Sequence, residues 1–267
     1  MHAIFVIIIN NHHRMHIYAG VMTIMKLQIL TIFLLHFCIA FQDDKVHYIA
    51  SESSGICPIH FCPTLSELVT SERINSSTIV VFLPGNHTLN STLYVTNITR
   101  FSMISSSMLW APVITCLHNT SFELNKIGQI AIQRLVFIGC GNNRVILSPH
   151  FTLANSTFIG QNGSGTALEL IDSTANIFNT SFAFNIIGSY RGPVGIVKYW
   201  NGTENKFSYV GGAIIANQSN VTLVNCYFEV NIAHIGGAIY STMGSSISIL
   251  YCTFVRNFAV QRFDFTL

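Results

Sequence analysis

Enzymes that cleave polysaccharides need clustered carboxylates, or carboxylates with a calcium ion and a basic residue. This chain has four Asp and seven Glu in 267 residues. Asp43 and Asp44 adjoin an apolar leader, and Asp264 stands near the last residue. Glu123, Glu169, Asp172, Glu204 and Glu229 fall within the repeating part of the chain. Glu169 and Asp172 are three apart, which on a strand puts them on opposite faces. No two of the five share an obvious register, and Arg134 and Lys126 have no carboxylate beside them. The Gly-rich GQNGSG at 160–165 lacks the Lys and following helix of a phosphate loop, and no Ser-His-Asp order is recognisable. His12, His13 and His16 have metal-like spacing, but they precede the leader. Cys57, His60 and Cys62 make two thiols and one imidazole, an incomplete zinc set. The expectation is no enzyme, no metal and no cofactor, with Glu169 and Asp172 the candidates should catalysis exist. A net charge of +2 with scattered basic residues gives no nucleic-acid footprint.

The cysteines and asparagines point to a compartment. Seven Cys are present; Cys38 lies in the leader, leaving an even six, which in a secreted chain reads as disulfides. Cys57 and Cys62 are close enough for a local loop, Cys116 and Cys140 are 24 apart, and Cys226 and Cys252 are 26 apart. Six cysteines allow about fifteen connectivities, so these pairs are candidates, and for the last pair stacked free thiols are the alternative. From Met25, one Lys precedes an apolar run, Leu27 to Ile39, and then Ala40 and a polar segment. The run is short for a membrane span and fits a secretory signal cleaved after Ala40, with an uncleaved anchor as the alternative. Asn-x-Ser/Thr begins at Asn75, Asn86, Asn90, Asn97, Asn119, Asn155, Asn162, Asn179, Asn201, Asn217 and Asn220. Chance at this composition gives about four such matches rather than eleven. Glycans at these sites would keep a chain with 9% charged residues soluble.

The elements that position these residues repeat. Gly-Gly-Ala-Ile occurs at Gly211, Gly212 and again at Gly236, Gly237, a spacing of 25. Phe137, Phe158, Phe182, Phe228 and Phe254 are separated by 21, 24, 46 and 26. The gap of 46 is two units if GPVGIVKYWNGTENKFSYV, with Gly192 and Gly195, is a degenerate copy. Asn185, Asn231 and Asn257 follow their Phe by three. Within a unit the apolar period is two, with Thr222, Val224, Cys226 and Phe228 expected on one face, Val221, Leu223, Asn225 and Tyr227 on the other. Strands repeating every 20–25 residues without helices stack as a parallel β-helix, at about 4.8 Å per rung. From Thr78 onward there is room for about eight rungs, a rod of roughly 40 Å. The Gly pair supplies positive φ and close coil approach; the Phe stack inside; Asn231 and Asn257 sit at a left-handed bend and hydrogen-bond between rungs. Thr64 and Glu67 form a candidate capping box for a short helix with Leu65, Leu68 and Val69 on one side, covering the amino-terminal end of the stack. An ordinary loop is the alternative there.

The GGAI pairs at 211–214 and 236–239, with FAFN, FEVN and FVRN at 182, 228 and 254, resemble the paired repeat of the chlamydial polymorphic outer-membrane proteins. They are also similar to secreted right-handed parallel β-helix proteins of simple animals, within the pectate-lyase-like superfamily. TIVVFLPGNHTL at 78–89 resembles the usual entry into such a helix. The resemblance implies an all-β, right-handed parallel β-helix with a short amino-terminal capping helix. The expected organisation is an upstream extension at 1–24, a signal at 25–40, a cap segment at 41–77 and the solenoid at 78–267, truncated at its far end. The expected role is a non-catalytic secreted or cell-surface rod, structural, adhesive or glycan-recognising, whose partners are extracellular polysaccharide or surface proteins. The alternative is a polysaccharide lyase or hydrolase on the same scaffold.

Overall fold

The structure is a computed structural model that describes residues 6–9, 15–18, 45–51, 63–70, 74, 76–118, 120–163, 166–187, 211–233, 235–242 and 244–259. The chain divides into Met1–Asp44 and Lys45–Leu267. In the first unit Val6–Ile9 pairs antiparallel with Met15–Tyr18. The second unit is a parallel β-helix. Each coil lays one strand on a first sheet, one on a second and one on a third. From Asn162 onward a two-residue strand between second and third forms a fourth. The first sheet has eight strands, from Lys45–Ile49 to Ser246–Leu250. Every pairing within the four sheets is parallel, so each residue has a counterpart one coil away.

The stack includes Lys45–Ile49, upstream of the expected entry at Thr78, in register with Thr78–Phe82. The helix Leu65–Thr70 follows. Its capping box is formed: the Thr64 N–H donates to Glu67 Oε2 (2.7 Å) and the Glu67 N–H to Thr64 Oγ1 (3.3 Å). Leu65 and Leu68 are buried, and Ser66 Oγ donates to the Thr88 carbonyl on Asn86–Leu89, the first strand of the second sheet. The helix thus lies over the end of that sheet, as its apolar spacing requires.

The interior is one continuous column system. Phe137, Phe158, Phe182, Phe228 and Phe254 stack face to face with centroids 4.7–5.3 Å apart. Phe182 pairs directly with Phe228, and Leu168 with Ile214. Phe182 and Phe228 are thus one coil apart, and the expected degenerate copy at 192–210 lies outside the described residues. The gap of 46 is one coil, which Phe spacing alone mimics as two.

Strict alternation also fails, for a physical reason. A residue in left-handed conformation stands at most of the corners between strands. Asn225 has φ 52°, which resets the inside-outside phase. Val221 and Leu223 point inward before it, Cys226 and Phe228 inward after it, and Thr222 and Val224 outward. The expected face of Thr222, Val224, Cys226 and Phe228 is thus split between two sheets. At the later corner the left-handed residues are Phe184, Val230 and Arg256, not the Asn that follow. Asn185, Asn231 and Asn257 point inward instead and do form the expected ladder. Asn185 Nδ2 donates to Asn231 Oδ1, and Asn231 Nδ2 to Asn257 Oδ1, both at 2.8 Å. A second ladder, of Ser148, Ser173, Ser219 and Ser245, runs up another corner. Each backbone N–H there donates to the next hydroxyl at 3.1 Å.

Cys116 and Cys140 are disulfide-bonded across neighbouring coils, 24 residues apart. Cys226 and Cys252, the other in-register candidates, are thiols, with the Cys226 N–H on Cys252 Sγ at 3.4 Å. They continue the buried corner column of Leu135, Ser156 and Thr180 as small apolar side chains, the alternative weighed above. Cys57 and Cys62 lie outside the described residues. Loop-closure entropy makes the Cys116–Cys140 bridge worth about 3 kcal/mol. Cys116→Ser with Cys140→Ser is expected to lower the urea unfolding free energy by that amount with an unchanged β-type circular dichroism spectrum.

Candidate functional site

The third sheet brings together what the sequence left apart. Its strands Phe122–Asn125, Arg144–Ile146 and Leu168–Ile171 bury Phe122, Leu124, Val145, Leu168 and Leu170. Alternation then forces Glu123, Arg144 and Glu169 outward. Parallel register stacks them, Glu123 opposite Arg144 and Arg144 opposite Glu169. Tyr94 precedes Glu123 in this column, and Ile215 and Tyr240 follow Glu169. The expectation that no carboxylates share a register is therefore overturned. The spacings of 21 and 25 residues are the signal in the sequence, obscured because the Phe of the second sheet recur there at 21 and 24.

Arg144 Nε donates to Glu169 Oε2 at 2.8 Å, and Arg144 Nη1 stands 3.6 Å from Glu123 Oε2. Asn142 Nδ2 donates to the same Glu169 oxygen at 2.6 Å. The backbones of Glu123 and Glu169 are two strand spacings apart, about 10 Å, and both side chains reach one guanidinium between them. The cation fills the space that a sugar and its water would need between the two carboxylates of a hydrolase. One positive charge between two negative ones is chiefly an ion-paired ladder on a half-exposed face, and such pairs contribute about 1 kcal/mol or less each.

The other expected candidates are dispersed. Asp172 is exposed at a left-handed corner, φ 47°, away from the Glu169 column. Lys126 makes the equivalent turn at φ 53°, and Arg134 turns the next corner, from the first sheet to the second, at φ 56°. Glu229 lies opposite Val255 and Ala183, as its place beside Phe228 requires. Gly160 turns a corner at φ 64°, and the buried Gln161 after it takes the Asn185 Oδ1 on its N–H, so GQNGSG begins a coil corner. Burial pushes the Cys226 thiol up to about 11, so at neutral pH it is a protonated packing group and not a nucleophile. Among the described residues no group of three or more His, Cys, Asp or Glu could hold a metal ion. Cys57, His60, Cys62, His12, His13, Glu204 and Asp264 lie outside them.

The sequon asparagines distribute by geometry. Asn97, Asn155 and Asn179 are exposed left-handed corners at φ 57°, 51° and 46°. Asn86, Asn90 and Asn220 are exposed on strands or their ends, and Asn217 is half-buried. Asn179 Nδ2 donates to Asn155 Oδ1 at 3.3 Å, a contact that a glycan on Asn179 would replace. Asn75, Asn119 and Asn201, and the side chain of Asn162, lie outside the described residues.

No protein-family profile matches the chain, and neither a curated protein nor a solved structure matches it. The fold therefore rests on its own register, with stacked parallel sheets, an inter-coil disulfide and no described helix long and apolar enough to cross a membrane.

Proposed function

We propose that this chain is a secreted or cell-surface glycoprotein, a non-catalytic rod with a structural, adhesive or glycan-recognising role. The observation that carries this reading is the Glu123–Arg144–Glu169 column. Its charges pair with one another and with Asn142, which makes an ion-paired ladder rather than a poised acid and base. The leader at 25–40, the excess of sequons and the Cys116–Cys140 bridge support an oxidising, lumenal route. The GGAI and FxxN units support membership of the right-handed, pectate-lyase-like group of β-helices. The step from rod to adhesion or glycan recognition is an analogy between folds.

The second reading, a polysaccharide lyase or hydrolase, is favoured by two carboxylates and an arginine sharing one outward column. The test is direct. Protein collected from the medium of expressing cells should shift in mobility on treatment with an N-glycan-cleaving enzyme. On uronic-acid polymers, with or without calcium, it should release no unsaturated or reducing ends. Turnover that disappears in Glu169→Gln and Glu123→Gln would establish the enzyme reading, and an intracellular, unmodified chain would overturn the secretory one.

A further inference from the structure

The connection from the first to the second sheet in the coil of Arg100–Ser105 and Val113–Cys116 is longer than its neighbours. Gln133 and Val136 in the next coil are separated by two residues, whereas Ser105 and Val113 are separated by seven. The extra chain presents Met108, Leu109 and Trp110 in succession, with relative exposures of 85%, 87% and 73%. Ordinary surfaces scatter apolar residues singly; three adjacent and almost fully exposed ones mark an interaction site.

The tip is built rather than slack. Ser107 Oγ accepts from the Leu109 N–H (3.2 Å) and the Trp110 N–H (3.1 Å). Ser105 Oγ accepts from the Ser107 N–H and donates to the Ser107 carbonyl, both at 3.0 Å. The Leu109 and Trp110 backbone donors are thus satisfied within the loop, which eases entry into a medium that offers no hydrogen bonds. No charged residue occurs from Phe101 to Phe122. Arg134 turns the same corner one coil on, following Gln133, which pairs with Ile104. It stands at the base of the loop, where a lipid phosphate would lie.

We propose that residues 106–111 form a membrane-contact loop, with Met108, Leu109 and Trp110 entering the headgroup–acyl boundary of a phospholipid bilayer. Three side chains offer roughly 400–500 Å² of apolar surface, short of the ~800 Å² per partner of a stable protein pair. A sugar would require polar side chains beside the aromatic ring, and Met108 and Leu109 provide none. A convex apolar tip with a Trp and an adjacent cation fits the bilayer interface, giving weak, reversible attachment. This goes beyond the proposed function, which needs no lipid.

The chain has two Trp, so the full-length Trp200→Phe variant reports on Trp110 alone. With vesicles of phosphatidylcholine containing phosphatidylserine, its emission should shift to shorter wavelength and be quenched by brominated lipid. Met108→Ser with Leu109→Ser should weaken partition by about tenfold or more while leaving the circular dichroism spectrum and Tm unchanged. The reporter is local, so attachment through the apolar leader would leave it unshifted. If Trp200→Phe does not fold, the difference between wild type and Trp110→Ser gives the same spectrum. Unshifted emission in every vesicle overturns the proposal. So does a shift that depends on protein concentration without lipid, which would assign the loop to a second copy of this chain.

Discussion

Gly212→Ala is expected to prevent the rod from folding, or to cost at least ~3 kcal/mol, although it adds one methyl group to a residue of ordinary φ. Gly212 follows Gly211 at a corner where two coils come into backbone contact. A Cβ there would stand 2.1 Å from the Gly237 carbonyl oxygen and 3.1 Å from the Ile232 nitrogen. Neither obstacle is a flexible side chain. Relief would require the coils to part by more than an ångström, which breaks the parallel ladder and unstacks the interior on both sides. Gly237 repeats the situation one coil on, with the Phe258 backbone oxygen 2.4 Å away. The control is Gly160, whose φ is 64° and whose surroundings are open for 4 Å. Gly160→Ala should cost only the left-handed penalty of about 1–2 kcal/mol. Urea denaturation of the three proteins separates the effects. A Gly212→Ala protein as stable as Gly160→Ala would mean that the coils are not in contact there.

The second large effect is expected at Asn231, and it should depend on pH. Asn231 is fully buried. Its Nδ2 donates to the Phe182 carbonyl (2.9 Å) and to Asn257 Oδ1 (2.8 Å). Its Oδ1 accepts from the Asn185 N–H (3.3 Å) and Nδ2 (2.8 Å). Asn231→Asp keeps the shape and turns the donating group into an acceptor facing two other oxygens. Burial and those oxygens disfavour the charged form, so the folded-state pKa of the new carboxyl rises above its unfolded value of about 3.9. The protonated acid retains one donor and tolerates the site. Its share of stability is therefore present below the unfolded pKa and lost as pH rises through the folded one. The deficit relative to wild type should be modest near pH 4 and grow by about 1.4 kcal/mol per pH unit above it, reaching roughly 3–5 kcal/mol at neutrality. Unfolding curves at pH 4 and pH 7 measure this. A pH-independent deficit would show that the ladder is open to water at that corner.

Both effects come from repetition, and repetition is the part of this protein that its sequence determined unaided. The recurring Gly pair, Phe and Asn required residues of one type to meet copies of themselves one coil away. In a parallel stack that geometry follows from strand spacing alone. The Phe column, the Asn ladder and the Cys116–Cys140 bridge were legible for that reason, and the Thr64–Glu67 cap from its own local spacing. Phase was not legible. A left-handed residue at most corners shifts the inside-outside alternation, and Asn225, Val230 and Arg256 do so without a common residue type. Only three-dimensional closure of the coil decides which strand absorbs the turn. Insertions were equally opaque, since the 46 residues from Phe182 to Phe228 make one coil and not two. The Glu123–Arg144–Glu169 column depends on register between strands whose loops differ in length, so spacings of 21 and 25 place its members together only after the third sheet has formed. The Met108–Trp110 loop reads in sequence as one more apolar run. The tertiary structure turned it outward, because seven residues cannot fit a corner that two residues close.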